Sequence, residues 1–231
     1  MRKLGLIGGM SWVSTRSYYE DINRIVQRKA GPRASAPLLI ESLDFSTLCE
    51  LLEEEDWQRA GDVLVESAQR LATAGAGALV IAANSMHKVY DRVAGAIDIP
   101  VIHVADCVGA RMKADNRLTA ALLGTRNVVT GSFYRQRLVA QGIDLMPPDM
   151  KLVDEVDRII YEELVTGKVT RDAERTLKSI ITIKEQEGAK AIILGSTELN
   201  LVVDVDANVL PIYDSTRIHA ERAAAWILGE D

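Results

Sequence analysis

Two cysteines, Cys49 and Cys107, and three histidines, His87, His103 and His219, are all that 231 residues contain of the commonest metal-ligating and thiol side chains. The cysteines lack the spacing of a zinc site or a redox pair, so they read as small buried or half-buried apolar side chains. The histidines stand singly along the chain, which argues against a metal site. No apolar run approaches the roughly 18 residues that would cross a bilayer. Met1-Arg2-Lys3 leads straight into a strand without the apolar stretch of a signal peptide. The expectation is a cytoplasmic protein with no membrane partner. Basic residues form no block, and the net charge of -6 is spread along the sequence, so nucleic acid is not an expected partner. Charged residues at 26% and apolar residues at 48% are ordinary for a globular protein, long enough for one large domain or two small ones.

Several catalytic signatures are also missing. Gly5, Gly8 and Gly9 follow an opening strand but do not make the G-x-G-x-x-G of a dinucleotide fold, although Glu41 or Asp44 could hold a ribose. There is no P-loop lysine and serine pair. Ser196, Asp214 and His219 occur in the chain order of the α/β hydrolases, yet Gly195-Ser196-Thr197 is not the G-x-S-x-G elbow.

What is present is alternation. Leu4 to Ile7 reads as a strand broken by Gly8-Gly9. A helix from Ser14 carries Tyr18, Ile22, Ile25 and Val26 at helical spacing and stops at Gly31-Pro32. Pro37 to Leu43 is a second strand, and Asp56 precedes a helix with Leu64, Ala68 and Leu71 on one face. The apolar run Ala78 to Ala83 ends at Asn84-Ser85-Met86-His87, as a buried parallel strand delivers side chains to a site at its carboxyl end. A short helix over 87–93 and a strand over Val101 to Val104 follow. Further on come a strand over 118–123 ending in Gly124-Thr125, a helix over 133–141, a Pro147-Pro148 loop, and helices over 153–165 and 171–186. A strand from Ala191 to Leu194 ends in Gly195-Ser196-Thr197-Glu198, and Val209 to Tyr213 is the last strand. Asp214 or Ser215 then caps a helix with Ile218, Ala225 and Leu228 on one face.

The pattern is duplicated. Leu4 to Gly9 resembles Ala120 to Thr125, and the strand before Ala83 resembles the strand before Ser196 at nearly the same offset. The expected fold is therefore α/β: two pseudo-symmetric open parallel sheets with helices on both faces, one spanning 1–98 plus 211–231 and the other 99–210. Ligands of such sheets sit beyond the carboxyl ends of the strands, so an active-site cleft between the two is expected.

Five segments together resemble the aspartate/glutamate racemases: Gly8-Gly9-Met10-Ser11-Trp12, Ala83-Asn84-Ser85-Met86-His87, Leu123-Gly124-Thr125-Arg126, Leu194-Gly195-Ser196-Thr197-Glu198 and Asp214-Ser215-Thr216-Arg217-Ile218-His219-Ala220. The resemblance spans essentially the whole chain. It implies racemisation of an acidic amino acid without pyridoxal phosphate, any other cofactor or a metal, usually by a homodimer. That family inverts an α-carbon with two cysteines, in C-N-T and G-C-T motifs, which map onto Ala83 and Ser196. It further implies that Met10, Asn84, Ser85, Thr125 and Thr197 contact the substrate. Glu198 would meet the ammonium or orient residue 196, and Asp214 and His219 would support the second motif from the last helix.

The departures fall at the two reactive positions. Ala83 has no proton to exchange, and the Ser196 hydroxyl is far less acidic than a thiol. The chain is thus expected to racemise slowly or to hold substrate without turnover. Serine for cysteine is the isosteric change used to trap a substrate, and the reading favours a parent with cysteine at 196. Alanine at 83 fits a second replacement or a branch that kept one thiol or none. The alternatives are a one-cysteine isomerase or decarboxylase of a dicarboxylate, and a non-catalytic amino-acid-binding protein.

Overall fold

The computed structural model describes residues 1–230, which form two compact units. The first comprises Met1–His103 and the residues from His219 onward, and the second Val104–Ile218. In chain order the first unit contains β1 (Leu4–Gly8), α1 (Trp12–Ala30), β2 (Leu38–Ser42), α2 (Phe45–Glu53), α3 (Trp57–Thr73), β3 (Ala78–Ile81), a 3-10 turn (Ser85–Val89), α4 (Tyr90–Gly95) and β4 (Val101–Ile102). The second contains α5 (Val104–Ala114), β5 (Thr119–Gly124), α6 (Arg126–Thr130), α7 (Ser132–Ala140), β6 (Asp144–Leu145), α8 (Met150–Glu162), α9 (Arg171–Gln186), β7 (Ile192–Gly195) and β8 (Ile212–Asp214). The last helix, α10 (Ser215–Leu228), starts in the second unit and continues into the first.

Each unit holds a four-stranded sheet, ordered β2-β1-β3-β4 in one and β6-β5-β7-β8 in the other, and every pairing is parallel. The duplication seen in the sequence is thus a duplication of strand order. Central strands β1, β3 and β7 are buried throughout, because helices cover both faces of each sheet and leave no position for a polar side chain. Successive residues feed opposite layers. Ile7, Leu79 and Ile81 pack toward Leu64, Ala68 and Leu71 of α3, whereas Leu4, Leu6 and Val80 pack toward Tyr18, Ile22 and Val26 of α1 and Ile227 of α10. In the second unit Leu122 and Ile193 meet Val108 and Met112 of α5, while Leu123 and Leu194 meet Val156 and Ile160 of α8 and Leu177 and Ile181 of α9.

Several expected elements move. The strand expected to reach Val104 stops at Ile102, and Val104 opens α5, which buries Val108 and Met112. The last strand begins at Ile212 rather than Val209, which is 60% exposed ahead of Pro211. Helix α8 starts earlier than Val153 because Asp149 caps it, accepting from the Lys151 and Leu152 backbone N–H groups. The buried stripe of α10 runs through Ala220, Ala223, Ala224 and Ile227, with Ala225 and Leu228 only half-buried.

Strand order reverses between β1 and β3, and again between β5 and β7. At such a switch point the connecting loops diverge and open a crevice at the carboxyl ends of the strands. Ile7 lies in register with Ile81, and Gly124 with Gly195. The loop from Gly9 to Ser11 therefore emerges beside residues 82–85, and Thr125 emerges beside Ser196. Gly9 makes the first turn possible. Its φ is +87°, and a Cβ there would sit 2.1 Å from the Leu43 carbonyl oxygen. Its N–H donates to Thr15 Oγ1 at 2.7 Å, and Thr15 Oγ1 donates to the Ser11 carbonyl at 3.0 Å, tying the turn to the first turn of α1. Replacing Gly9 with Ala is expected to lower unfolding stability by at least about 1–3 kcal/mol from the backbone conformation alone, read as a downward shift of the urea midpoint at unchanged slope.

Candidate active site

In the first unit the turn after β3 carries Ala83, Asn84 and Ser85. Ala83 is 4% exposed and packs in the same apolar cluster as Met10 and Met86. Met10, expected against a ligand, is itself 3% exposed within that cluster. Asn84 is buried and Ser85 half-buried, and the Asn84 carbonyl accepts the His87 backbone N–H at 3.2 Å.

Beneath this turn the histidines converge, correcting the expectation that they stand apart. His87, His103 and His219 are all buried. The His87 ring centroid lies 4.4 Å from that of His103 and 5.8 Å from that of His219, and the Tyr90 ring meets His103 edge-on at 4.7 Å. Three of their ring nitrogens are hydrogen-bonded within the protein. His87 Nδ1 is 2.9 Å from the Ala83 carbonyl oxygen, and His219 Nε2 is 2.9 Å from that of Ile102. Each carbonyl accepts only, so each of those nitrogens carries the proton. His219 Nδ1 is then the acceptor for the Tyr18 hydroxyl at 2.8 Å. Among the described residues no group of three or more His, Cys, Asp or Glu side chains is placed to hold a metal ion. His219 was expected to support the second motif; its contacts to Tyr18, Ile102 and His87 all lie in the first unit.

In the second unit the carboxyl ends of β5 and β7 are pressed together. A Cβ on Gly124 would sit 2.7 Å from the Gly195 carbonyl oxygen, so only glycine permits this approach. Beyond these glycines stand Thr125, Ser196, Thr197 and Glu198, all buried. The Ser196 hydroxyl donates to Glu198 Oε2 at 2.8 Å, and the Thr197 hydroxyl donates to the same oxygen at 2.9 Å. Glu198 therefore orients residue 196. Thr125 is 7% exposed, and its Oγ1 has no hydrogen-bond partner within the protein. It stands at the start of α6 without its side chain capping that helix, so helix capping does not explain it. A buried hydroxyl left unsatisfied costs about 1–3 kcal/mol, which marks the position for a polar ligand or water. Thr216, fully buried in the first turn of α10, also has an Oγ1 without a partner. Sequence reasoning did not single out Asn200; it met Thr216 only within the last resemblance segment and Tyr18 only as a core position of α1.

Asp214 caps α10, accepting from the backbone N–H of Thr216 at 2.9 Å and of Arg217 at 3.4 Å, and it also accepts from Asn200 Nδ2 at 3.3 Å. Burial raises its carboxyl above the usual range, against these hydrogen bonds. Ser196, Asp214 and His219 thus each serve other partners, and no hydrolase triad is built from their contacts.

Two four-stranded parallel sheets, each with a switch point ending in small and polar residues, make a two-unit α/β fold of the racemase type. The chain belongs to the Asp/Glu/Hydantoin racemase family, whose model matches residues 7–223. It is similar to the crystal structure of an Asp/Glu racemase candidate from Yersinia pestis, with 39% identity, coverage of 99% of this chain and 100% of that one, and a TM-score of 0.90. An aspartate racemase homologue from Pyrococcus horikoshii OT3 is 30% identical, with 99% and 100% coverage and a TM-score of 0.84. A broad-specificity amino-acid racemase from Bacillus subtilis strain 168 is 20% identical, covering 97% of this chain and 98% of its own.

Complete burial, and secondarily the nearby His87, lowers the His219 imidazole from 6.5 to about 3. Below pH 6.5 the unfolded chain binds a proton at this residue and the folded chain does not. Its contribution to stability is therefore full above pH 6.5 and is lost as pH falls. Urea unfolding of the native chain and of His219→Gln, compared between pH 6.5 and about 5, is expected to show the native advantage shrinking by about 1.4 kcal/mol per pH unit.

Proposed function

We infer that the protein is a cofactor-independent amino-acid racemase by descent, acting on aspartate or glutamate by exchange of the α-proton, with both usual thiol positions replaced. The observation that carries this reading is the equivalence of the two motifs. Ala83 and Ser196 follow the strands that pair with β1 and β5 in matching register, one in each unit. Inversion at carbon needs one group to remove the α-proton on one face and another to return a proton on the opposite face; two like positions on two like units supply that need. With alanine at one and serine at the other, neither is a thiol. Turnover by this chain is expected to be slow or absent, while the carboxylate-binding loops are intact.

The acidic substrate is supported by the donors left over. Thr125 offers a buried hydroxyl with no protein partner, and a carboxylate would satisfy it. Broader side-chain tolerance is consistent with the likeness to the Bacillus subtilis enzyme. The same reading includes a homodimer and a cytoplasmic location. A second reading, an amino-acid-binding protein that has lost catalysis, is favoured by the packing of Ala83 into an apolar cluster.

Calorimetry with L- and D-aspartate tests the site. Because Thr125 Oγ1 makes no hydrogen bond within the protein, Thr125→Val is expected to leave the melting temperature unchanged or raised while weakening binding about 10-fold, the value of one hydrogen bond. Restoring both thiols, Ala83→Cys with Ser196→Cys, is expected to give α-proton exchange and racemisation in deuterated water. Absence of both reactions with aspartate and glutamate in that double variant would overturn the racemase reading.

A further inference from the structure

The family reading leaves this chain with one proton-bearing side chain at its two reactive positions, Ser196. A lone serine hydroxyl is a weak base at neutral pH, and an alkoxide formed without a partner would be unstable beside buried apolar surface. Ser196 is not alone. Its hydroxyl points at Glu198 Oε2 at 2.8 Å, the carboxylate is 5% exposed, and Thr197 fixes the same oxygen at 2.9 Å. This pair lies wholly within the second unit, at the end of β7, with Gly195 in register with Gly124 and Thr125 following directly. Ala83 offers no proton to a second face.

Resting on the racemase reading of the site, we propose that Ser196 and Glu198 form a one-face proton relay that exchanges the α-hydrogen of a single amino-acid enantiomer with solvent, without inverting it. The step balances within the pair. The α-proton passes to Ser196 Oγ as the hydroxyl proton passes to Glu198 Oε2, leaving the substrate as its enolate, serine neutral and Glu198 as the acid. The acid exchanges its proton with solvent, and the reverse transfer returns a solvent hydrogen to the same face. Breaking and remaking the C–H bond on one side preserves configuration. Ser196 is the catalytic residue in this scheme, and Glu198 is a positioning residue that acts through it.

The test incubates the full chain with L-aspartate and with D-aspartate in deuterated water, following the α-proton by NMR and configuration by chiral chromatography. Exchange of one enantiomer with its configuration kept is expected. Ser196→Ala should abolish it. Glu198→Gln should lower kcat about 100-fold or more with KM within about threefold and an unchanged melting temperature, and Glu198→Asp should restore part of the rate. Undiminished exchange in the folded Glu198→Gln variant overturns the relay, as does interconversion of the enantiomers by the native chain. A silent native chain beside an active Ala83→Cys, Ser196→Cys variant overturns the relay and leaves the racemase reading standing. Silence in both removes both.

Discussion

The parallel register between the central strand and its inner neighbour is the constraint on which the rest depends. Ile7 against Ile81 and Gly124 against Gly195 fix where each strand ends, and the reversal of strand order at those points opens the crevices. Met10, Ala83, Asn84, Ser85, Thr125 and Ser196 to Glu198 all lie within a few residues of them. Close approach is enforced by residues that cannot be enlarged: Gly9 against the Leu43 carbonyl, and Gly124 against the Gly195 carbonyl. Gly9, one of the glycines of the incomplete nucleotide motif, makes the turn after β1 possible.

The two units solve the same problem with different side chains. In the first, the strand-end turn is held from behind by a buried aromatic cluster, in which His87 grips the Ala83 carbonyl and His219 links Tyr18 to Ile102. In the second, the turn is held by its own side chains, Ser196 and Thr197 converging on Glu198. Burial keeps His219 neutral, and its two nitrogens are used in one tautomer. The first turn is therefore tied by imidazole hydrogen bonds and packing. The second carries the buried Glu198 carboxyl group at its centre.

Much of this was legible in the sequence because apolar runs that stop at small and polar residues are direct signatures of parallel strands. The internal repeat, the α/β architecture and the residues at each strand end followed from those runs. Other features were hidden for physical reasons. Val104 continues an apolar run, so nothing local separated β4 from α5; tertiary burial of Val108 and Met112 decided it. Strand β6 has two residues, too few for any period to show. The histidine cluster is assembled from the 3-10 turn after β3, the residue after β4 and α10, far apart in the chain, and no spacing rule anticipates it. Met10, expected against a ligand, lies in a core cluster, and the unsatisfied hydroxyl of Thr216 sits inside a motif segment where no spacing singles it out.

The central claim is that the strand ends of the second unit form an amino-acid site around residue 196. A crystal structure of the chain soaked with aspartate tests it most directly. The account predicts the substrate α-carbon against the Ser196 side chain, with a carboxylate oxygen accepting from Thr125 Oγ1. Aspartate bound elsewhere, with Ser196 and Thr125 untouched, would contradict it.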